Sequence, residues 1–311
     1  MAGVDGEFGG VSDQIVYHYC TASTGFSIVE TKTIRLSALS HANDTSEGRA
    51  MIQKFDELIA ATSLSYEVAQ VCRVIFGSFS QSTEGFAFCM SENGDLLSQW
   101  RAYAGDGAGV VIGFNKSILE RDFGEVNFGS KFFEIIKIEY GDAKLVDLLK
   151  PLTIELEKQL LPLRNCVQLQ LDQNVESSIS EMADFDLNRS KKIFKKVTPD
   201  ANLAIDIILK IVSAIHFKIY SHKVVGFAEE VEWRLLRYRQ RQHFQEIDYF
   251  CDGTAVKPFI PCFIAEPAKR SIESVTLGPK NKTDPRWMRA FLSSNGLDHV
   301  QVNKSSLKDY R

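Results

Sequence analysis

The amino-acid sequence predicts an α+β fold. Strand-like segments rich in β-branched and aromatic residues fall into two groups, one before residue 141 and one after residue 229. Between these groups, residues 142–222 carry apolar side chains three to four positions apart, which indicates helices. Because helices are mostly segregated into this one stretch, the pattern favours α+β over alternating strands and helices.

Composition sets the broad class of protein. The chain has 311 residues, 44% hydrophobic and 24% charged, as in an ordinary soluble protein with a large core. A net charge of −4 argues against polyanion binding through bulk charge but leaves a local basic face open. No segment approaches the roughly 20 apolar residues of a membrane span, and no signal peptide is apparent. A cytoplasmic location without a membrane partner is therefore expected.

The six cysteines are scattered, with no C-x-x-C pair and no histidine at zinc-ligand spacing. The sequence therefore predicts no metal site. The cysteines are interpreted as buried free thiols, and Cys89, Cys251 and Cys262 stand in apolar or strand-like contexts. A cysteine nucleophile, Cys20 or Cys89 paired with His18, remains a formal alternative.

The elements of the first half follow from periodicity and capping signals. Residues 1–13 are Gly-rich and acidic and are expected to be a flexible tail. Asp44 or Thr45 is a candidate cap for the long helical stretch that follows. Strands are expected at 15–20, 33–37, 85–91, 109–114 and 132–140, and helices at 21–30, 48–75 and 95–103.

The second half begins with the helical stretch. We expect residues 14–311 to form one domain in which 142–222 is an insertion. The basic run 188–196 within it fits either a solvated helix face or a local nucleic-acid contact. Further strands are expected at 230–238, 248–251, 258–263, 272–277 and 299–302, and a closing helix at 284–295.

The acidic strand at 230–238 is the most informative segment. Side chains alternate between the two faces of a strand, so Glu230, Glu232 and Arg234 should share one face. Two carboxylates about 7 Å apart repel unless a cation lies between them. Arg234 or a cationic substrate could supply that charge. The alternative is a solvated face with a surface ion pair, while Trp233, on the opposite face, is expected in the core.

Other candidates for a site lie at the ends of earlier strands. His18 could bond a ligand hydroxyl or simply pack, and Arg35 could bind a pyrophosphate. Trp100 and Tyr103 lie on one side of a short helix, either as core residues or as aromatic faces for a flat cation. No dinucleotide-binding glycine motif, P-loop or G-x-S-x-G motif is present.

The order of these elements resembles a bacterial family, domain of unknown function 2971, which in turn resembles the histidine–tyrosine–glutamate branch of the ADP-ribosyltransferase superfamily. The likeness covers most of 15–311 and is poorest in 142–222. It departs from the transferase pattern at Tyr19, where glycine is usual, and at Phe86 and Phe88, where a tyrosine is usual. The motifs that carry it are His18-Tyr19, Ile34-Arg35-Leu36-Ser37, Asn43-Asp44 with Glu47, Cys89-Met90-Ser91, Trp100, Tyr103-Ala104, Gly109-Val110, Glu230-x-Glu232-Trp233-Arg234 and Val275-Thr276-Leu277-Gly278-Pro279.

The resemblance implies a fold, a substrate and a set of site residues. It implies a split antiparallel β-sheet core and an enzyme that takes NAD as substrate and transfers ADP-ribose to a protein or nucleic acid. A role as toxin or effector in anti-phage defence, with a partner protein of that system, goes with it. The implied catalytic residues are Glu232, Glu230 and His18, and the implied NAD contacts are His18, Tyr19, Thr21, Arg35, Ser91, Trp100 and Tyr103. The alternative is a non-catalytic nucleotide-sensing or protein-interaction module on the same fold.

Overall fold

A computed structural model describes most of the chain. The described residues are 14–41, 48–64, 66–124, 133–163, 199–240, 247–251, 253–264 and 270–307. The predicted tail at 1–13, the helix cap at 43–47 and the basic run at 188–196 lie outside the described residues, as does the middle of the predicted helical insertion.

Strands and helices occupy the positions that follow, within the described ranges. The strands are β1 Ile15–Cys20, β2 Thr33–Ala38, β3 Thr83–Ser91, β4 Val110–Asn115, β5 Phe133–Lys137, β6 Glu139–Tyr140, β7 His222–Lys223, β8 Glu232–Gln240, β9 Asp248–Cys251, β10 Val256–Phe263, β11 Ile272–Leu277 and β12 Gln301–Lys304. The helices are α1 Ala22–Thr31, α2 Arg49–Ala60, α3 Tyr66–Ser82, α4 Leu97–Tyr103, α5 Lys116–Gly124, α6 Asp142–Leu160, α7 Pro199–His216 and α8 Pro285–Ser294.

Most predicted elements are confirmed, and the long helix expected at 48–75 is corrected. It is two helices, because the chain turns at residues 61–64 between α2 and α3. At this turn the Thr62 hydroxyl donates to the Ile59 carbonyl, and both Ser63 donors bind Glu157 on α6. Such side-chain bonds compete with helical backbone bonds and end the helix.

Ten of the strands form one mostly antiparallel sheet, which confirms the α+β class. The order is β12-β11-β4-β1-β3-β2-β10-β9, with β8 paired to β3 and β5. Within this sheet only β11 and β12 run parallel among the described strands. β6 and β7 form a separate parallel pair.

The sheet diverges locally along β3. One edge of β3 pairs with β8 over its full length. The other edge is shared, since β2 pairs at Phe86 and Ala87 and β1 pairs only at Ser91. β1 and β2 therefore separate on either side of Cys89. The strands nevertheless remain one hydrogen-bonded network across this local opening.

Two apolar cores flank the sheet. The first is formed by α2, α3, α6 and α7, so the helices predicted at 142–222 pack with two earlier ones. The second lies between the sheet and α1, α5 and α8. β8 contributes to both cores. Leu235 lies in the second core, and Tyr238 packs against the first. Trp233 is half-buried against the second core, as predicted from the alternation.

Two predictions about exposure have different outcomes. All five described cysteines are free; Cys20, Cys72 and Cys262 are buried as predicted, whereas Cys89 and Cys251 are exposed. The prediction was wrong for these two, because Cys89 faces a cavity and Cys251 ends the edge strand β9. None of the described helices is both long and apolar enough to cross a membrane.

Candidate functional site

A cavity of about 360 Å³ opens where β1 and β2 diverge. This volume lies within the range of about 300–1,000 Å³ that is usual for small-molecule sites. His18 and Cys89 line its floor, and Tyr103 of α4 lines one side. Glu230 and Glu232 lie in the same cavity, with Arg35 among the other lining residues. The structure thus brings together most of the predicted site residues.

The two acidic residues reach the cavity by a different route from the one predicted. Glu230 ends a 3₁₀ turn that spans Val225–Glu230, and β8 begins at Glu232. Between them Val231 has a φ of 42°, a left-handed conformation that is costly for a β-branched residue. The strand alternation predicted for Glu230 was therefore wrong, because the chain turns at Val231 before the strand begins.

Lys223 is the cation that lies between the two carboxylates. Its Nζ is 2.8 Å from Glu230 Oε2 and 2.8 Å from Glu232 Oε2. Arg234 binds Glu232 from the other side, with Nε 2.7 Å from Oε1. All four side chains are more than nine-tenths buried, so the interpretation as a surface ion pair is wrong.

Short elements hold this network in place. Lys223 lies on β7, which pairs with Tyr140 of β6. The Tyr140 hydroxyl accepts a hydrogen bond from the Glu232 backbone N–H at 2.9 Å. The Tyr220 carbonyl accepts from Arg234 Nη1 at 3.0 Å. The ion pairs thus join β6, β7 and β8 at one end of the cavity.

Glu232 and Lys223 are charged at neutral pH. Burial alone would raise the pKa of Glu232, but the charges of Arg234 and Lys223 outweigh it and lower that pKa to about 2. Burial would likewise lower the pKa of Lys223, yet Glu232 and Glu230 raise it. Glu232 therefore presents a permanent negative charge to the cavity.

His18 is held as a neutral imidazole. Its ring stacks on Phe88 with centroids 4.1 Å apart, and its Nδ1 lies 2.8 Å from the Cys89 carbonyl oxygen. Burial lowers the pKa of His18 to about 4, although the bond to Cys89 acts in the opposite direction. A carbonyl only accepts, so Nδ1 carries the proton and Nε2 is left as an acceptor for a ligand hydroxyl.

Tyr103 connects α4 to the acidic end of the cavity. Its hydroxyl donates to Glu230 Oε1 at 3.0 Å, and about a third of the side chain stays exposed. Burial, and next the charge of Glu230, raise the pKa of this phenol, so it stays protonated. Part of the Tyr103 side chain is therefore exposed where it lines the cavity.

Three predicted ligand contacts lie outside the cavity. Trp100 is fully buried and donates from Nε1 to Asp95 at 2.8 Å, so it is a core residue and cannot stack on a ligand. Ser91 is buried, and its hydroxyl donates to the Glu230 carbonyl at 2.7 Å, which fixes the turn before β8. Thr21 caps α1 by accepting from the Thr24 N–H at 3.2 Å.

Tyr19 lines the cavity, but its hydroxyl is used structurally. The hydroxyl donates to the Asn93 carbonyl and accepts from the Leu96 N–H, both at 2.8 Å. Its ring meets Trp100 edge-on. Tyr19 therefore positions the start of α4 rather than offering a polar group to a ligand.

The far end of the cavity is cationic. Arg35 is exposed and places its guanidinium 4.7 Å from the Phe259 ring centre and 5.7 Å from that of Phe250. Lys257 also lines the cavity, and its register partner on β9 is Phe250. Histidines apart, the described residues that line the cavity include four cations and two carboxylates, a formal net charge of +2. This balance suits an anionic ligand.

Sequence reasoning missed Lys223 and Lys257. Lys223 lies on a strand of only two residues, too short for a periodic pattern, and nothing local marks it as the partner of acids seven and nine positions later. Lys257 was missed because it lies just before the strand predicted at 258–263, whereas β10 begins at Val256.

Metal and thiol chemistry find little support in the described part of the chain. Within it, no group of three or more His, Cys, Asp or Glu side chains is arranged to hold a metal ion. Burial raises the pKa of Cys20 to about 12, which disfavours a thiolate nucleophile at that position near neutral pH.

Fold and site together define an α+β protein with a mostly antiparallel open sheet and a cavity lined by buried ion pairs. Residues 99–235 match the family described as "Protein of unknown function (DUF2971)", which supports the predicted resemblance to that family. The match covers less than half of the chain and includes Tyr103, Lys223 and both acids, but not His18 or Arg35. It also runs through 142–222, the segment predicted to match least. No curated protein and no solved structure matches the chain.

Proposed function

We propose that the cavity binds NAD and that the protein transfers ADP-ribose to a protein or nucleic-acid acceptor, on an ADP-ribosyltransferase-like core. One observation carries this proposal: His18, Tyr103, Glu230 and Glu232 line a single cavity. The net positive lining also suits a ligand that carries a pyrophosphate.

The proposed reaction breaks the bond between the ribose C1′ and the nicotinamide nitrogen. The electron pair of that bond leaves with nicotinamide, which becomes neutral. A nucleophile of the acceptor forms the new bond to C1′ and loses a proton. Positive charge builds on the ribose in the transition state, and in this proposal the Glu232 carboxylate, whose pKa is lowered to about 2, stabilises that charge.

The other cavity residues have binding roles in this proposal. His18 Nε2 accepts a hydrogen bond from a ribose hydroxyl, and the exposed face of Tyr103 stacks on nicotinamide, which gives about 0.5–2 kcal/mol as a cation–π contact. Arg35 and Lys257 pair with the pyrophosphate. Glu230, bonded to Tyr103 at 3.0 Å, faces the acceptor.

The test measures nicotinamide release from NAD and transfer of labelled ADP-ribose to lysate components. We expect Glu232→Gln to lower both by about 10²-fold or more, the usual cost of losing one stabilising group. Glu84→Gln is the matched control, because Glu84 is a buried glutamate on β3 that accepts from the Ser40 N–H outside the cavity. No release and no transfer by the wild-type protein would overturn the transferase proposal.

A second candidate is a non-catalytic nucleotide sensor, and one observation favours it. Each carboxylate oxygen of Glu230 and Glu232 already has a partner in Tyr103, Lys223 or Arg234. A ribose hydroxyl must then share or displace one of these partners. NAD or ADP-ribose binding seen by calorimetry, without turnover, would support the sensor over the enzyme.

A role as toxin or defence effector is part of the same proposal. Expression in a bacterial host should then arrest growth and lower cellular NAD, and Glu232→Gln should relieve both effects. If growth arrest persists in Glu232→Gln at equal expression, the toxicity does not depend on the cavity.

A further inference from the structure

A second surface feature lies on α1 and α8, away from the cavity. Trp287 is 74% exposed and Phe26 is 50% exposed. Phe26 stacks on Phe291 with ring centroids 4.5 Å apart and an interplanar angle of 10°. Because Trp287 and Phe291 are four positions apart, they lie on neighbouring turns of one helix face. The result is a run of aromatic rings open to solvent.

Four cations lie on α8 or in the segments next to it. Lys282, Arg286, Arg289 and Lys304 are all exposed. Arg286 binds Asp284 through Nη2 at 2.7 Å, and this bond lowers the pKa of Asp284, with smaller contributions from Lys304 and Arg289. These groups therefore lie close enough to act on one carboxylate.

The charge of this surface opposes that of the whole chain. Among the described residues of this region, the four cations compare with three acids. These are Asp284, Asp298, which accepts a hydrogen bond from Ser293 at the other end of α8, and Glu30, which is exposed four positions after Phe26 on α1. The surface is thus locally positive on a chain whose net charge is −4. Exposed aromatic patches of this kind mark interaction sites.

We propose that this aromatic–basic face, formed by Phe26, Lys282, Arg286, Trp287, Arg289 and Lys304, binds single-stranded nucleic acid. Bases stack on exposed aromatic rings while cations neutralise the phosphates, which is how single strands are held without sequence preference. A duplex keeps its bases stacked on each other and would leave Trp287 unused. A second copy of this chain would bring four cations against four cations, so self-association is disfavoured.

This proposal does not rest on the NAD proposal, because the two share no residue. The two surfaces are nevertheless connected by structure. Lys280, in the loop before α8, pairs with Asp106 at 2.7 Å in the loop that follows Tyr103. Asn281 donates to the Gly109 carbonyl at 2.9 Å. A strand bound at this face is thus a candidate acceptor if the transferase proposal holds.

The test is fluorescence anisotropy with labelled oligo(dT) and oligo(U), across a salt series. We expect binding to weaken roughly tenfold in Trp287→Ala, since one stacking contact is lost. The double variant Arg286→Ala, Arg289→Ala should have a shallower salt dependence. The slope of log K, the association constant, against log salt concentration should be about 1.4 smaller in magnitude, because each phosphate contact contributes about 0.7 to the slope. Phe263→Ala is the control, since Phe263 is an exposed ring on β10 outside this face.

Four outcomes would overturn the proposal. The first is that neither oligonucleotide binds at low salt. The second is that Trp287→Ala binds as tightly as the wild-type protein, with thermal unfolding showing both folded. The third is that poly-glutamate competes as well as oligo(dT), which would make the face a general anion surface. Sedimentation should also show a monomer at the concentrations used, and a dimer lost in Trp287→Ala would assign the face to self-association instead.

Discussion

Replacing Lys223 by methionine removes a cation that two buried carboxylates share. Methionine keeps much of the apolar stem of lysine and removes both 2.8 Å ion pairs. Removing one partner of a buried pair costs about 3–5 kcal/mol, because the remaining charge stays desolvated. The expected loss of unfolding free energy for Lys223→Met at pH 7 is therefore about 3–5 kcal/mol.

A surface pair supplies the matched control. Lys137 Nζ lies 2.7 Å from Glu92 Oε1, about the same separation, but both side chains are partly exposed. Exposed pairs contribute about 1 kcal/mol or less. Lys137→Met should therefore lose about 1 kcal/mol or less in the same urea unfolding series, with free energies taken from linear extrapolation.

The stability of Lys223→Met should also depend on pH differently from that of the wild-type protein. Without Lys223 the site has two carboxylates and one cation, Arg234, so the folded state takes up a proton more readily than the unfolded chain. Stability of the variant then rises relative to wild type as pH falls from 7 to 5. A loss below 1 kcal/mol, or an equal loss at both pH values, would refute the argument that Lys223 neutralises a buried acidic pair.

Further predictions address the cavity, the helical core and one loop. Tyr103→Phe should keep NAD affinity within a few-fold while Tyr103→Ala loses up to about 30-fold, since only the latter loses the stacking face; equal losses in calorimetry would contradict this. Burial lowers the pKa of His216 to about 4, so this group stabilises the fold fully above pH 6.5 and progressively less as pH falls toward 4. Between pH 6.5 and pH 4.5, the free energy of unfolding should fall by about 2–3 kcal/mol because of this residue. His216→Phe should lack this part of the decline. An equal decline in the variant and the wild-type protein would contradict the role given to His216. Gly278→Ala should lower the unfolding free energy by about 1–3 kcal/mol, because its Cβ would lie 2.3 Å from the Gly107 carbonyl oxygen. Gly77 lies in α3, and a Cβ added there would have no atom within 4 Å. Gly77→Ala should therefore raise the free energy of unfolding by about 0.5–1 kcal/mol, and a lower value would contradict the open space seen beside this residue.

The strands of the sheet centre were predictable because their local patterns are strong. β1 has the predicted bounds, and β4 differs by one residue at each end, since both are short runs of β-branched and aromatic residues. The helical nature of α6 and α7 followed from apolar spacing in the same way. The break between α2 and α3 was not predictable, because it depends on Glu157, 94 residues from Ser63.

The cavity was harder to predict because it depends on where strands diverge. Trp100 and Tyr103 are three residues apart on one helix, yet Trp100 packs in the core and Tyr103 reaches the cavity. No local pattern separates these outcomes, since the choice depends on Tyr19 and Asp95 lying beside Trp100. The proximity of Glu230 and Glu232 was expected, but the left-handed Val231 and the shared Lys223 arise only from tertiary packing.

The most direct test of the cavity as a dinucleotide site is a calorimetric titration of NAD. Wild type and Glu84→Gln should bind with the same affinity, because Glu84 lies outside the cavity. His18→Ala should bind several-fold more weakly, since it loses the hydrogen-bond acceptor that Phe88 and the Cys89 carbonyl hold in place. No heat of binding to the wild-type protein, or equal affinity in His18→Ala, would contradict the assignment of this cavity to NAD.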